Sequence, residues 1–386
     1  MRIIIVLFFL TLLGCSKSSV KQRLADDSEE VCVQQKTVND GNTVTGQYIV
    51  AYNERTVSGK LSARQLSTLG ESVLQRQNIK ANSLIKSYAG EPGGFIAKLT
   101  PAEVVRLQQD PSIQMIEPDR VIALGKCFTV VAPWLTTWNI NKTGFGNGIG
   151  KVAWVIDSGI DFNHPDLDVD VARSRSFITG QTSAADENGH GTHVAGIIGA
   201  KNNAIGVLGV ASGAKLISLR VLDKKGEGLL SYIITALAYV SVNGKAGDAV
   251  NMSLGEDGVS AILDQQVLST AAKGIFIAIA AGNDNKPANQ FSPARVNGPN
   301  VYTVSAIDSA GKFASFSNYG NDVVDFAAPG VKILSTYLNN QYAIMSGTSM
   351  ATPHVTGLLL LNGNRIAVSA YALNDPDGNA DGIAGH

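Results

Sequence analysis

The chain has 386 residues, with 31 Lys+Arg against 32 Asp+Glu, a balance that gives no reason to expect nucleic acid as a partner. Apolar residues make up 45 % and charged residues only 16 %, which suits a well-buried α/β core. The length leaves room for two or three domains.

Met1-Arg2 precedes an apolar run, Ile3–Leu13, that is too short to cross a bilayer, which takes about 20 residues. The run ends L-L-G-C, which resembles a bacterial lipoprotein signal over 1–14, with Cys15 as the lipidated new N-terminus; an ordinary secretory signal is the other reading. Residues 15–46 are polar and read as a tether. Cys32 and Cys127 either pair outside the cytoplasm or stay as two thiols, and sequence alone leaves both open.

From Gln47 the pattern changes. Gln47–Tyr52 is strand-like, and Leu66, Leu69, Val73 and Leu74 have helical spacing within Ser62–Gln77. Ser83–Tyr88 and Gly94–Leu99 read as two short strands about the turn Glu91-Pro92-Gly93. Thr100-Pro101-Ala102-Glu103 is a capping box with proline at the first helical position, opening a helix to Gln109. Met115–Leu124 is extended again. This β-α-β-β-α-β order predicts a small ferredoxin-like α+β domain over 47–125.

A linking segment to Gly150 follows, and a second, larger domain is expected over 133–362. Apolar strands are predicted at 151–156, 215–221, 249–253, 275–280, 301–306 and 323–327, with helices at 191–200, 229–242, 260–273 and 349–360. This alternation predicts an α/β domain, a mostly parallel sheet with helices on both faces. Asp375–Gly382 looks like half of an EF-hand loop without its closing acidic residue, so 363–386 is expected to be a solvated acidic tail.

Three stretches carry chemistry. Val152–Ile156 is an apolar strand ending at Asp157, and open α/β sheets place their chemistry at such carboxyl ends. N-G-H-G-T-H puts His190 just before a small-residue helix, and G-T-S-M-A-T-P-H puts Ser349 at the start of another. A serine there can simply cap the helix, or use the free N–H groups and the positive dipole end to hold an oxyanion. The chain order Asp157, His190, Ser349 is the subtilisin order of triad members. With A-A-G-N at Ala280–Asn283 as a fourth match, residues from about Gln47 to Leu361 resemble the subtilisin-like serine proteases, close to the proteinase K branch.

The resemblance implies Ser349 as nucleophile, His190 as general base, Asp157 as its partner and Asn283 as oxyanion donor. It implies that Ser253, Leu254 and Gly255, with Ala281 and Gly282, hold an extended protein or peptide substrate. Glu256-Asp257 departs from the glycines often found there. His193 lacks the i, i+4 partner and acid of a zinc helix and reads as structural, as do His164 and His354. Structural Ca2+ is implied, held by the side chains of Asp166 and Asn203 and the carbonyls of Lys201, Ile205 and Val207, and no organic cofactor is expected. The 47–125 domain resembles the family's inhibitory prodomain, self-cleaved between Arg120 and Pro133. The expected location is the bacterial cell envelope through a lipid anchor in the membrane, or the extracellular space after that cut. The rival is a catalytically silent peptide-binding envelope protein, which would have lost a triad or oxyanion residue; none is lost.

Overall fold

The structure, a computed structural model, describes residues 41–53, 61–123, 129–131 and 136–386. Cys15, Cys32 and Cys127, and the readings placed on them, lie outside the described residues. Among the described residues no helix is long and apolar enough to cross a membrane.

The first domain has the predicted order. Strands β1 (Thr43–Tyr52), β2 (Leu84–Tyr88), β3 (Gly94–Lys98) and β4 (Ile113–Ala123) form an antiparallel sheet in the order β4-β1-β3-β2. Helices α1 (Ala63–Arg76) and α2 (Pro101–Leu107) connect them, and both open with complete capping boxes, Ser62 with Gln65 and Thr100 with Glu103. Strand alternation gives this sheet two apolar faces. Val50, Tyr52, Phe95 and Ala97 pack with Leu66, Val73, Leu74 and Leu107 in the domain's own core. Ile49, Ala51, Ile96 and Ile122 face the other way and join the core of the second domain.

The second domain is built on a nine-stranded sheet. From Val324–Pro329 the order runs through Val301–Ile307, Phe276–Ala280, Ala249–Met252, Val152–Asp157, Lys215–Arg220 and Arg175–Ser176, with every pair parallel. Three further helices, α4 (His190–Gly199), α5 (Leu230–Asn243) and α6 (Ala261–Ala271), follow the short α3 (Trp138–Thr143), and α7 (Thr348–Asn362) closes the set. The central strand V-A-W-V-I-D shows why its run is apolar throughout. Ala153 and Val155 pack against α4 and α7, while Trp154 and Ile156 pack against α5 and α6.

The C-terminal expectation is corrected. Residues 363–386 are not a solvated tail: Ala367–Tyr371 and Gly382–Gly385 pair with each other, and the second strand adds in parallel to Val324–Pro329. Ile383 and Ala384 are buried, and Asp381 accepts a hydrogen bond from Ser305 Oγ at 2.5 Å. Burial pushes that carboxyl up to about 7. The apolar residues on either side of the acidic run, Ala372, Ile383 and Ala384, are buried while Asp377 stays exposed, so the stretch folds onto the sheet without desolvating all its acids.

Candidate active site

Asp157 ends the central strand and is fully buried. His190 starts α4, and its Nδ1 lies 2.8 Å from Asp157 Oδ1 and 3.0 Å from Oδ2. A carboxylate only accepts, so Nδ1 carries a proton, and in the neutral ring Nε2 presents a lone pair. Nε2 is buried and has no hydrogen-bond partner among the described residues. Gly189 cannot cap α4 with a side chain. Asp186 does so from a distance: Oδ1 accepts from the N–H groups of Asn188 and Gly189 and from Ser158 Oγ, and Oδ2 accepts from Thr192 N and Oγ1. Ser158 Oγ in turn accepts from Gly191 N at 2.9 Å. Sequence reasoning missed Asp186; its signal was an acid three residues before a glycine that opens a helix.

Ser349 sits in the first turn of α7 and is 3 % exposed. Pro353 lies inside that helix and has no N–H to give to the carbonyl four residues back, which is that of Ser349. Ser253 Oγ takes the vacant role and donates to Ser349 O at 2.7 Å, while Ser349 Oγ donates to Ser253 O at 3.1 Å. The start of α7 is thus tied to the strand end at Ser253. Asn283 Oδ1 accepts from Thr348 N at 2.8 Å and Thr348 Oγ1 at 3.0 Å, which leaves Nδ2 as the donor end of the amide. Gly282 N donates to Thr348 Oγ1 at 3.2 Å, so the 281–283 stretch is fixed to the same turn. Asp157, His190, Ser253, Asn283 and Ser349 therefore converge at the carboxyl ends of the parallel strands, around the first turns of α4 and α7.

The other histidines are placed differently. His193 is fully buried, with Nε2 donating to the carbonyls of Ile333 and Ala343, and burial holds it down at about 3. His354 Nδ1 donates to Met350 O, and burial holds it down at about 4. His164 Nε2 donates to Gln341 O.

A feature the sequence did not reveal is the short strand Glu227–Leu229. The end of β4 pairs with it in antiparallel register, Val121 opposite Leu229, Ile122 opposite Gly228 and Ala123 opposite Glu227. Just upstream, two acids of the first domain reach helix N-termini of the second. Leu229 gives α5 no side-chain cap, and Asp119 Oδ1 accepts from Ser231 N at 2.8 Å instead. Glu117 accepts from the hydroxyl of Ser260, the N-cap residue of α6. Burial pushes both carboxyls up, and these donors pull the other way.

The loop expected to hold calcium is folded around Asp166. This carboxylate is fully buried and accepts from Asn203 Nδ2 at 2.9 Å, Val207 N at 3.0 Å and Tyr342 Oη at 3.3 Å. Burial pushes it above the usual carboxylate range. Gly206 has φ +68°, and a Cβ there would stand 2.1 Å from Asp166 Oδ2. Lys201 N donates to the Asp166 carbonyl, which draws the loop's first residue to the same place.

Comparison with known proteins agrees with this geometry. A family profile described as "Subtilase family" matches residues 148–366, and one described as "Peptidase inhibitor I9" matches 47–124. The chain is 41 % identical over 297 residues to a "Thermostable alkaline protease" of Halalkalibacterium halodurans, covering 75 % of this chain and 79 % of that one. It is 37 % identical over 343 residues to an "Extracellular serine proteinase" of Thermus sp., covering 82 % and 80 %. The crystal structure of a cold adapted subtilisin-like serine proteinase superposes with a TM-score of 0.56 at 33 % identity, over 65 % of this chain and 98 % of that one. With the profile spanning more than half of its length and such relatives covering most of it, the chain belongs to the subtilase family of serine proteases and carries an I9 inhibitor domain ahead of its protease domain.

Proposed function

We propose that this serine endopeptidase works through Ser349, His190 and Asp157, and that the 47–125 domain holds it inactive until it cuts itself free between Arg120 and Pro133. The observation that carries this reading is the Asp157–His190 hydrogen bond, which fixes the proton on Nδ1 and leaves Nε2 as a base. Ser349 Oγ, now bonded to Ser253 O, gives its proton to Nε2 as it attacks the substrate carbonyl, and the imidazolium later protonates the leaving amine. Asn283 Nδ2 and the Ser349 backbone N–H stabilise the oxyanion, the second with help from the α7 dipole. Ser253, Leu254 and Gly255 form one rail of the cleft, Glu227–Leu229 the other, and Ala281 and Gly282 wall the main side-chain pocket, whose small and apolar lining suits apolar or aromatic residues. Replacing Ser349 by alanine tests the whole scheme, because the precursor then stays whole.

Calcium fits the Asp166 loop. The donors on this buried carboxylate are neutral among the described residues, and an oxygen set of one carboxylate, the Asn203 amide and the carbonyls of Lys201, Ile205 and Val207 suits a hard cation. The hydrogen bond from Asn203 Nδ2 to Asp166 is the one the cation would replace. The ion would brace the loop and take no part in the reaction. A ligand held at 100 times its Kd stabilises by about 2.7 kcal/mol. Chelation with EDTA should therefore lower the melting temperature by about 5–10 °C in a domain of this size. Asp166→Asn should remove this response to calcium. An unchanged melting curve refutes the site.

We also propose that Cys15 carries a lipid that anchors the precursor to a membrane, on the strength of the L-L-G-C leader end. Ser349→Ala precursor should sediment with membranes, and the same chain with Cys15→Ser should not. A wild-type leader that leaves the precursor soluble refutes the anchor.

A further inference from the structure

The end of β4 shows how a chain lies along the cleft, and its register places one more side chain. Val121, Ile122 and Ala123 are paired with Leu229, Gly228 and Glu227, so Arg120 is the residue just before the one opposite Leu229. Its Nη1 donates to Glu256 Oε2 at 3.1 Å and to Val259 O at 3.2 Å. The Glu256 side chain is 0 % exposed and that of Arg120 20 %. Glu256 directly follows the Ser253–Gly255 rail, and its own N–H is bonded to Ser292 O at 3.0 Å, which fixes it to the protease domain. The loop curls close over the guanidinium at Gly258. Its φ of +133° favours glycine, and a Cβ there would stand 3.2 Å from Arg120 Nη1.

The carboxylate needs a cation more than this one contact supplies. Glu256 Oε1 is buried with no hydrogen-bond partner among the described residues. Burial pushes the carboxyl up to about 7, although Arg120 pulls it down, and the charges of Glu117 and Asp264 add to the rise. Asp264 belongs to the protease domain, where Arg295 lies 3.5 Å from it. When the first domain leaves, Arg120 leaves with it, and Glu256 is left as a buried acid at the edge of the cleft.

We propose that Glu256 and the Val259 carbonyl form a cation-accepting subsite that selects arginine in a bound peptide, at the position Arg120 holds in the inhibitory segment. The subsite rests on the reading that this segment follows the path of a substrate. Arginine is favoured over lysine because a guanidinium is more weakly hydrated than an ammonium and so costs less to bring to a buried carboxylate. Since this contact is made before and during the reaction alike, it acts on KM and leaves kcat nearly unchanged.

Quenched fluorescent peptides copying residues 117–133, with serine at the Cys127 position, test the subsite on the matured enzyme. The residue at the Arg120 position is varied among arginine, lysine, citrulline, alanine and glutamate. The expected order is arginine, lysine, then citrulline and alanine together, then glutamate. Arginine should exceed citrulline by about tenfold in kcat/KM, the size expected of a partly exposed charge pair. In Glu256→Gln the arginine-to-citrulline ratio should fall to near one. If that variant does not mature, the wild-type series decides alone, and Glu256→Asp should narrow the ratio. A four-residue chromogenic amide, too short to reach Glu256, separates the two readings. Hydrolysis of the amide with a flat peptide series overturns the subsite and leaves the protease intact. If the enzyme hydrolyses nothing, the protease reading fails, and peptide affinities measured by fluorescence anisotropy decide the subsite: arginine binding no tighter than citrulline overturns it.

Discussion

Ser349→Ala should leave the precursor at full length, whereas the wild-type chain should split into an inhibitor fragment and a mature enzyme. Intact mass before and after incubation reads this directly. The expected loss is about a million-fold in turnover, a size carried over from subtilisin, so no cut appears on any practical time scale. The physical reason is that the variant has no hydroxyl at position 349, in the first turn of α7, for the His190 base to activate. Water could be activated by the same base, but only the far slower reaction left to an oxyanion site without its serine would remain. The substitution removes one hydroxyl and its bond to Ser253 O, and keeps the bond from Ser253 Oγ to Ser349 O. The start of α7 should therefore keep its place and the fold should survive. If the alanine chain splits like the wild type, an outside protease does the cutting and self-processing is wrong. If neither chain splits although both fold, the triad does not work in the precursor.

Much of this fold could be read from hydrophobic periodicity. The central strands are buried on both faces, so they appear as unbroken apolar runs, and Val152–Asp157 and Phe276–Ala280 differ from the predicted 151–156 and 275–280 by a single residue at each shifted end. The capping box at Thr100 marked a helix start because all its partners lie within three residues, while the first helix was legible from its spacing alone and its box at Ser62 emerged in the structure. Asp157, His190, Ser349 and Asn283 were legible as residues in motifs, and the structure brings these stretches together.

What sequence could not reveal depends on partners far along the chain. Glu227–Leu229 is three residues long and has no alternation of its own; it is a strand because residues 121–123 pair with it. α5 has no side-chain cap in its own sequence and takes one from Asp119, while the α6 cap Ser260 is itself bonded to Glu117, both acids lying more than 100 residues upstream. Glu256 was visible only as a departure from the expected glycine, and its meaning comes from Arg120, 136 residues away. The C-terminal stretch misled because its acids dominate the local composition, while Asp381 finds its partner in Ser305. In each case local composition points to solvent or to plain helix, and a long-range contact wins.

Asp157→Asn should slow self-cleavage by about ten-thousand-fold while leaving the fold intact, the loss expected when the histidine is held in the wrong tautomer. The hydrogen bonds around Asp157 say which way the amide would settle. Ser158 N–H donates to Asp157 Oδ1 at 2.7 Å and cannot face an NH2 group, so the new carbonyl oxygen stays there. The NH2 group then takes the Oδ2 position, which is 3.0 Å from His190 Nδ1. An NH2 hydrogen there opposes an Nδ1–H, even though the oxygen at 2.8 Å still accepts; the ring relieves this by carrying its proton on Nε2 and accepting from the amide at Nδ1. In that state Nε2 has no lone pair for the Ser349 proton. An asparagine side chain is isosteric with that of Asp157, so the packing at the end of the central strand is unchanged and the thermal unfolding curve should overlay the wild type. The half-time of self-cleavage, followed by intact mass, is the measurement. A half-time within about tenfold of the wild type would mean that the tautomer is set by something other than this pair. A large loss accompanied by a lowered melting temperature would mean that Asp157 acts mainly on the fold. Only the slow cut in an unchanged fold assigns Asp157 the part of holding the imidazole for Ser349.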